Sequence, residues 1–132
     1  MAYGEGADPR NATLKDATTV SGPGYLLTND STNNKLDLTA VSEVAIGVSA
    51  GESSRDANLD YETTGATVAY YPLGGMLMVA ATASQTWTTG ATVYIASSGL
   101  ATTSSGSSAK KLGLYVGEGQ TTSSANGDLI PV

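Results

Sequence analysis

Acid–base chemistry at neutral pH usually recruits histidine, and because this sequence contains none, a pair of carboxylates would have to substitute. Asp60 and Glu62, in the stretch DYE, are two residues apart and would share one face of a strand, an arrangement that could serve glycoside hydrolysis. Most such pairs simply form a solvated face. Because no motif places a nucleophile beside a base, we predict no catalytic residues.

Other short motifs lack the context that their chemistry requires. Ser107 and Lys110 have the Ser-x-x-Lys spacing of penicillin-recognising enzymes, but they lie in a Ser- and Gly-rich stretch rather than at the start of a helix. The segment NDSTNN offers one carboxylate, Asp30, where an EF-type calcium loop uses several. The absence of cysteine also excludes thiolate zinc sites. We predict neither a metal site nor a bound cofactor.

The charge balance limits the partners of the protein. Six Lys and Arg against twelve Asp and Glu give a net charge of −6, which repels a phosphate backbone, and Lys110 with Lys111 forms the only basic cluster. No apolar run approaches the roughly 18 residues that a membrane-spanning helix needs. The opening residues MAYGEGADPR do not resemble a secretory signal. We therefore expect no nucleic-acid partner and no membrane partner.

Short apolar stretches bounded by Gly, Pro, Asn or Ser recur from residue 25 onward, without an amphipathic helix between them. This pattern predicts an all-β fold, a compact small β-barrel or β-sandwich of about eight short strands. The single β domain is expected to span residues 25–132. The expected strands lie at 25–28, 35–40, 44–48, 66–71, 75–82, 91–97, 111–117 and 128–132.

The hexapeptide TTGATV occurs twice, at residues 63–68 and 88–93. Only two copies exist, and the sequence between them does not match the sequence after the second, so a solenoid would lack the stacked neighbours that it needs. Glycine permits a backbone turn that threonine resists, and the β-branched residues after it favour a strand. The hexapeptide therefore predicts a turn that leads into a strand, used twice.

Trp87 is the only tryptophan, and it lies in the polar stretch SQTWTT. A tryptophan near a turn packs at the rim of a core or stands exposed as an anchor for a sugar or a protein. We retain both interpretations, with Trp87 as a possible surface aromatic contact.

The middle and end of the chain resemble the head decoration, or cement, proteins of tailed bacteriophages. The resemblance covers about residues 44–132, and it rests on AIGVSAGE (45–52), GATVYIASSGLATT (90–103), KLGLYVGEG (111–119) and NGDLIPV (126–132). It implies a non-enzymatic all-β protein that binds the major capsid protein on the outer face of an assembled head. It also implies homotrimers at three-fold or quasi-three-fold positions, synthesis in the host cytoplasm and a final location on the virion.

Residues 1–24 are polar, contain Pro9 and Pro23, and carry isolated apolar residues without a sustained period. This composition predicts an extended N-terminal arm that gains order on a partner. We expect Tyr3, Arg10 and Leu14 to be its contacts with the capsid or with a neighbouring protomer.

Two other classes of function remain open at this stage. One is a receptor-binding, adhesive or carbohydrate-binding β module of a virion or surface layer, which would need an exposed aromatic platform such as Trp87. The other is a structural subunit of a surface layer or filament, which would assemble without any capsid.

Overall fold

The computed structural model describes residues 9–32, 34–106 and 108–132. These residues form twelve short strands and a 3₁₀ turn at Ser97–Gly99. The strands are β1 (Arg10–Thr13), β2 (Leu26–Asp30), β3 (Lys35–Leu38), β4 (Gly47–Ser49), β5 (Thr67–Pro72), β6 (Met78–Ala81), β7 (Gln85–Thr88), β8 (Thr92–Ile95), β9 (Ala101–Thr102), β10 (Lys111–Leu114), β11 (Gln120–Ser123) and β12 (Asp128–Pro131).

The all-β prediction is confirmed, with twelve strands in the described residues where about eight were expected. All eight expected strands are present. The additional strands are β1, β7, β9 and β11, whose sequences RNAT, QTWT, AT and QTTS are too polar or too short to show an apolar alternation. Pairing with a neighbouring strand holds them, and a sequence pattern cannot reveal such pairing.

The strands form two five-stranded sheets and a small two-stranded sheet. The N-terminal sheet has the order β1-β5-β4-β2-β3, and the C-terminal sheet has the order β10-β8-β9-β6-β12. Strands β7 and β11 pair with each other. Adjacent strands are antiparallel except β6 and β9.

Neither five-stranded sheet closes into a barrel, but each one curls until its two edges meet at one point. In the N-terminal sheet, Lys15 N donates to Leu36 O at 2.8 Å, just beyond the end of β1. In the C-terminal sheet, Val116 N donates to Pro131 O at 3.1 Å. The architecture is therefore a pair of strongly curled open sheets.

The buried side chains form two core clusters, and the two-residue period of the strands explains how the side chains divide between them. One cluster joins both sheets and includes Leu26, Val48, Trp87 and Ile130. A second cluster belongs to the N-terminal sheet and to the segment between β1 and β2, and it includes Leu27. Because successive side chains point to opposite faces, neighbours Leu26 and Leu27 enter different clusters.

Gly24 connects the two sheets through its backbone. Its N–H donates to Ser49 O at 2.8 Å in the N-terminal sheet, and its carbonyl accepts from Ala80 N at 2.7 Å in the C-terminal sheet. Its φ is +91°, and an added Cβ would lie 2.4 Å from Leu129 Cδ2 and 2.8 Å from Ala80 N. Only glycine fits this position.

The doubled TTGATV is confirmed as a turn that leads into a strand. Gly65 and Gly90 have φ values of +70° and +86°, and β5 and β8 begin two residues after them. Val68 and Val93 are both buried, but they belong to different core clusters in different sheets. The hexapeptide is therefore a local turn-and-strand motif and not the unit of a structural repeat.

The described part of the expected arm packs on the β domain. Strand β1 pairs with β5 in the register Arg10↔Tyr70, and Leu14 and Val20 are completely buried. Two apolar residues without a period do not predict a strand or helix, yet each fills a space in the second core cluster. The domain thus includes residues 10–24, and an arm remains a prediction only for the residues that precede them.

Candidate functional site

The predicted contact residues have different surroundings. Arg10 is exposed at the start of edge strand β1. Leu14 and Trp87 have 0% exposure, so neither side chain can reach a partner while the domain is folded. The expectations of an arm contact by Leu14 and of a surface contact by Trp87 are corrected accordingly. Tyr3 lies outside the described residues.

Trp87 is a core residue that joins the small sheet to the C-terminal sheet. Its Nε1–H donates to Ser123 Oγ at 3.0 Å, and that hydroxyl donates to Thr82 O at 2.6 Å. Its ring lies against Tyr115 with a centroid distance of 6.2 Å. The indole is both buried and hydrogen-bonded, which satisfies its one polar group.

A charged cluster on the loop between β4 and β5 consists of Glu52, Arg55 and Tyr61. Arg55 donates to both carboxylate oxygens of Glu52 at 3.1 Å and lies 3.9 Å from the centre of the Tyr61 ring. The Tyr61 hydroxyl donates to Glu52 Oε2 at 2.9 Å. The hydrogen bonds from Arg55 and then from Tyr61 lower the pKa of Glu52.

The hydrogen bond to Glu52 raises the pKa of Tyr61, because the carboxylate holds the hydroxyl proton. An ionised Glu52 and a neutral Tyr61 at neutral pH are suited to holding the loop together rather than to exchanging protons. Asp60 and Glu62 flank Tyr61 on this loop, where their backbone N–H groups bond to Asp56 Oδ1 and Ser54 O. No group of three or more metal-ligating side chains is found within the described parts of the chain.

An apolar groove lies where the edges of the C-terminal sheet approach each other. We call it the seam groove; it has a volume of about 390 Å³ and is lined by residues 73–77, Val79, residues 112–114, Val116 and Val132. Edge strand β10 forms one wall, and Val132, which follows edge strand β12, contributes to the other. Among the described residues, none that lines it carries a charged side chain.

The rim of the seam groove exposes large apolar side chains. Leu73, Leu114 and Val116 are 40%, 46% and 49% exposed. A small-molecule site usually adds a few well-placed polar side chains to its apolar walls, and the lining of this groove has none. Contiguous exposed apolar surface is typical of a contact with another polypeptide segment.

The sequence contains only a faint signal for this groove. Leu73 stands between Pro72 and two glycines, and an apolar residue within such a turn has no core position to fill. The sequence predicts a strand that contains Leu114 and Val116, but the order of the sheet decides which strand forms an open edge. The groove residues were therefore missed.

Asp128 closes the turn between β11 and β12. Its Oδ2 accepts from the backbone N–H of Ala125 at 3.0 Å, from that of Ser124 at 2.8 Å and from the Ser124 hydroxyl at 3.2 Å. The two backbone donors lower the pKa of Asp128. Strand β12 begins at this residue, so the turn helps to place one wall of the groove.

Replacing Asp128 with asparagine is expected to destabilise the protein at neutral pH and to have less effect in acid. The pKa of Asp128 is lower in the folded protein than in the unfolded chain. Its carboxylate therefore contributes stability at pH values above the unfolded pKa of about 3.9, and this contribution is lost as the pH falls through the folded pKa. Urea unfolding from pH 7 to pH 2.5 measures the difference. Glu118→Gln is the matched control, because this exposed carboxylate makes no side-chain hydrogen bond in the described portion. A gap between wild type and Asp128→Asn that stays constant with pH would contradict the expectation.

Comparison with known proteins assigns the chain to no family. No protein-family model matches it, and no curated protein matches it in sequence. None of the helical structure in the described ranges has the length and apolar character needed to cross a membrane. The fold and groove define the protein as a small acidic all-β domain with an exposed apolar rim.

Proposed function

We propose that the protein is a non-enzymatic capsid decoration protein. It binds the major capsid protein on the outer surface of an assembled tailed-phage head and stabilises the head, as a homotrimer at three-fold or quasi-three-fold positions. It is made in the host cytoplasm and ends on the virion. The sequence resemblance is the starting point for this proposal.

The placement of the resembling stretches is the observation that carries the proposal. Residues 90–103, 111–119 and 126–132 contribute β8, β9, β10 and β12, four of the five strands of the C-terminal sheet. Two of these stretches also supply groove residues, namely residues 112–114, Val116 and Val132. One of the stretches that resemble decoration proteins thus contributes Leu114 and Val116 to the apolar rim.

The charge distribution supports a contact through this rim. Identical copies of a chain with net charge −6 repel one another and other acidic surfaces. The uncharged rim at Leu73, Leu114 and Val116 offers a contact without that repulsion, and charged residues are depleted at the centres of protein interfaces. Arg10 and Tyr3, near the chain start, are proposed as further contacts with the capsid or a neighbouring protomer.

The alternative adhesive or carbohydrate-binding function has lost its main candidate residue. It required an exposed aromatic platform, and Trp87 is completely buried. No other feature of the described residues favours it.

The test adds purified protein to heads that lack it. Wild-type protein is expected to bind stoichiometrically and to raise the temperature at which the heads open, and sedimentation is expected to give the mass of a trimer. Leu114→Asp, which places a charge on the rim, is expected to weaken binding at least tenfold. Leu59→Asp is the matched control, because Leu59 is 73% exposed but does not line the groove. If wild-type protein does not bind to the heads, the proposed function is refuted.

A further inference from the structure

The two five-stranded sheets share one strand order. When the strands of each sheet are counted along the chain, β1 to β5 in one and β6, β8, β9, β10 and β12 in the other, both follow the cyclic order first, fifth, fourth, second, third. The third strand is parallel to the first in both, because β9 is parallel to β6 and Leu14, just after β1, forms a parallel bridge with Leu36 of β3. The chain therefore contains two units of one topology, an N-terminal unit of residues 10–72 and a C-terminal unit of residues 77–132.

Backbone hydrogen bonds repeat at corresponding places in the two units. In the N-terminal unit, Gly24 N donates to Ser49 O at 2.8 Å. In the C-terminal unit, Gly90 N donates to Tyr115 O at 2.9 Å. The two glycines have φ values of +91° and +86°, so the chain enters the second strand of each unit in the same conformation.

A second pair of bonds repeats at residues that are not glycine. Ala17 N donates to Thr63 O at 2.8 Å, and Ser84 N donates to Ser123 O at 2.6 Å. Ala17 and Ser84 have φ values of +66° and +61°, which are uncommon for such residues. The agreement between the units thus extends to unusual backbone positions.

In each unit the connection between the first and second strands carries a completely buried side chain, Val20 in one and Trp87 in the other. A serine from the connection between the fourth and fifth strands bonds to each of them. Ser53 Oγ accepts from Val20 N at 3.1 Å. Ser123 Oγ accepts from Trp87 Nε1 at 3.0 Å. The same two connections therefore close the core of each unit.

The sequence retains a trace of this repeat around the fourth strand of each unit, where it reads IGVSAGE (46–52) and LGLYVGE (112–118). The hexapeptide TTGATV does not follow the repeat. Its first copy leads into the fifth strand of the N-terminal unit, whereas its second copy leads into the second strand of the C-terminal unit. The two copies therefore occupy positions that do not correspond.

The two units differ in how their cores are completed. The described members of the second core cluster all lie in the N-terminal unit, between Ala12 and Tyr70. The cluster that joins both sheets combines residues of the C-terminal unit with a smaller group from the N-terminal unit. That group consists of Leu26, Ala45, Val48 and the partly buried Tyr71. The core of the C-terminal unit is therefore complete only when the N-terminal unit covers it.

We infer that the C-terminal unit is folded only while the N-terminal unit is folded, whereas the N-terminal unit keeps its own core when the C-terminal unit opens. Opening of the C-terminal unit leaves the second core cluster intact. Opening of the N-terminal unit takes Leu26 and Val48 from the shared cluster and breaks the bond from Ala80 N to Gly24 O. The inference concerns the free protein and does not depend on the proposed function.

Native-state hydrogen exchange of the whole protein, followed by NMR at urea concentrations below the unfolding transition, tests this order of opening. After correction for intrinsic rates, the amides of β6 and β8 are expected to exchange at least tenfold faster than those of β2 and β5. Their opening is also expected to depend less on urea, because opening of one unit exposes less surface than unfolding of both. Equal exchange with equal urea dependence in all four strands would overturn the inference in favour of one cooperative unit.

The two copies of TTGATV supply a matched pair of variants, because Val68 belongs to the second core cluster and Val93 to the shared one. Val68→Ala is expected to accelerate exchange in β2 and β5 at least fivefold and to leave β6 and β8 unchanged. The reason is that the N-terminal unit is folded both before and after the C-terminal unit opens. Val93→Ala is expected to accelerate exchange in all four strands by one common factor, because it destabilises only the state in which both units are folded.

Two other patterns would overturn the inference. Acceleration by Val93→Ala that is confined to β6 and β8 would show that the units open independently. Acceleration of β6 and β8 by Val68→Ala would show that the C-terminal unit does not open before the N-terminal unit. The wild-type comparison decides the question even if a variant does not fold. None of these measurements requires capsids, so failure of the proposed function is distinguished from failure of this inference.

Discussion

Replacing Trp87 with alanine is expected to lower the free energy of unfolding by about 3–5 kcal/mol, the usual cost of truncating a large buried aromatic residue. Trp87 is completely buried in the cluster that joins both sheets. Its loss leaves a cavity beside Tyr115 and removes the donor to Ser123 Oγ. Because Trp87 joins the small sheet to the C-terminal sheet, its removal is expected to weaken the packing between these two sheets as well.

Urea unfolding followed by far-ultraviolet circular dichroism measures this effect. Fluorescence is unsuitable, since Trp87 is the only tryptophan. Thr86→Ala is the control, because Thr86 is the preceding residue on β7 and is exposed. Trp87→Phe keeps an aromatic ring but loses the hydrogen bond, and it is expected to be intermediate. A Trp87→Ala variant as stable as the control would show that the indole is not part of the core.

Replacing Leu14 with alanine is expected to lower the free energy of unfolding by about 2–5 kcal/mol, the range for truncation of a buried leucine. Leu14 is completely buried. Its backbone N–H donates to Ala66 O at 2.8 Å, and the residue forms a bridge with Leu36. It thus holds together the two edges of the N-terminal sheet.

Thermal unfolding of Leu14→Ala, Thr13→Ala and a protein without residues 1–8 measures this second effect. Thr13 is exposed on β1 and provides the matched control. The shortened protein is expected to keep the fold, because it retains the buried Leu14 and Val20. A stable Leu14→Ala variant would mean that the start of the chain does not support the core.

The position of Leu14 determines how an N-terminal arm can be tested. Removal of residues 1–24 would take Leu14, Val20 and the backbone of Gly24 from the core and from the junction between the sheets. Loss of capsid binding would then reflect unfolding. Only the segment before β1 can be removed to examine binding alone.

Where the sequence pattern and the structure agree, the controlling forces are local. The hairpin of β2 and β3 forms where the Asx-rich segment predicts a turn, with Thr32 N bonded to Asp30 Oδ1 at 2.9 Å. The glycines of both TTGATV copies adopt positive φ, as the turn prediction requires. Local side-chain and backbone preferences act within a few residues, so a sequence can display them.

Where they differ, the controlling forces act between distant residues. Strand β11 has the polar sequence QTTS and exists because it pairs with β7. The burial of Trp87 depends on Ser123, which is 36 residues away in the chain. Leu14 looks like an isolated apolar residue until Ala66 and Leu36 are beside it.

The sequence by itself determined the all-β class, eight of the strand positions, the turn glycines and the acidic charge. Each of these depends on residue type and on short periods along the chain. The tertiary structure decided that Trp87 and Leu14 are buried, that residues 10–24 belong to the domain, and that β10 and β12 leave an apolar groove between them. Those features depend on which strands become neighbours and on how far each sheet curls. Strand order and curvature are set jointly by many contacts between residues that are distant in the sequence.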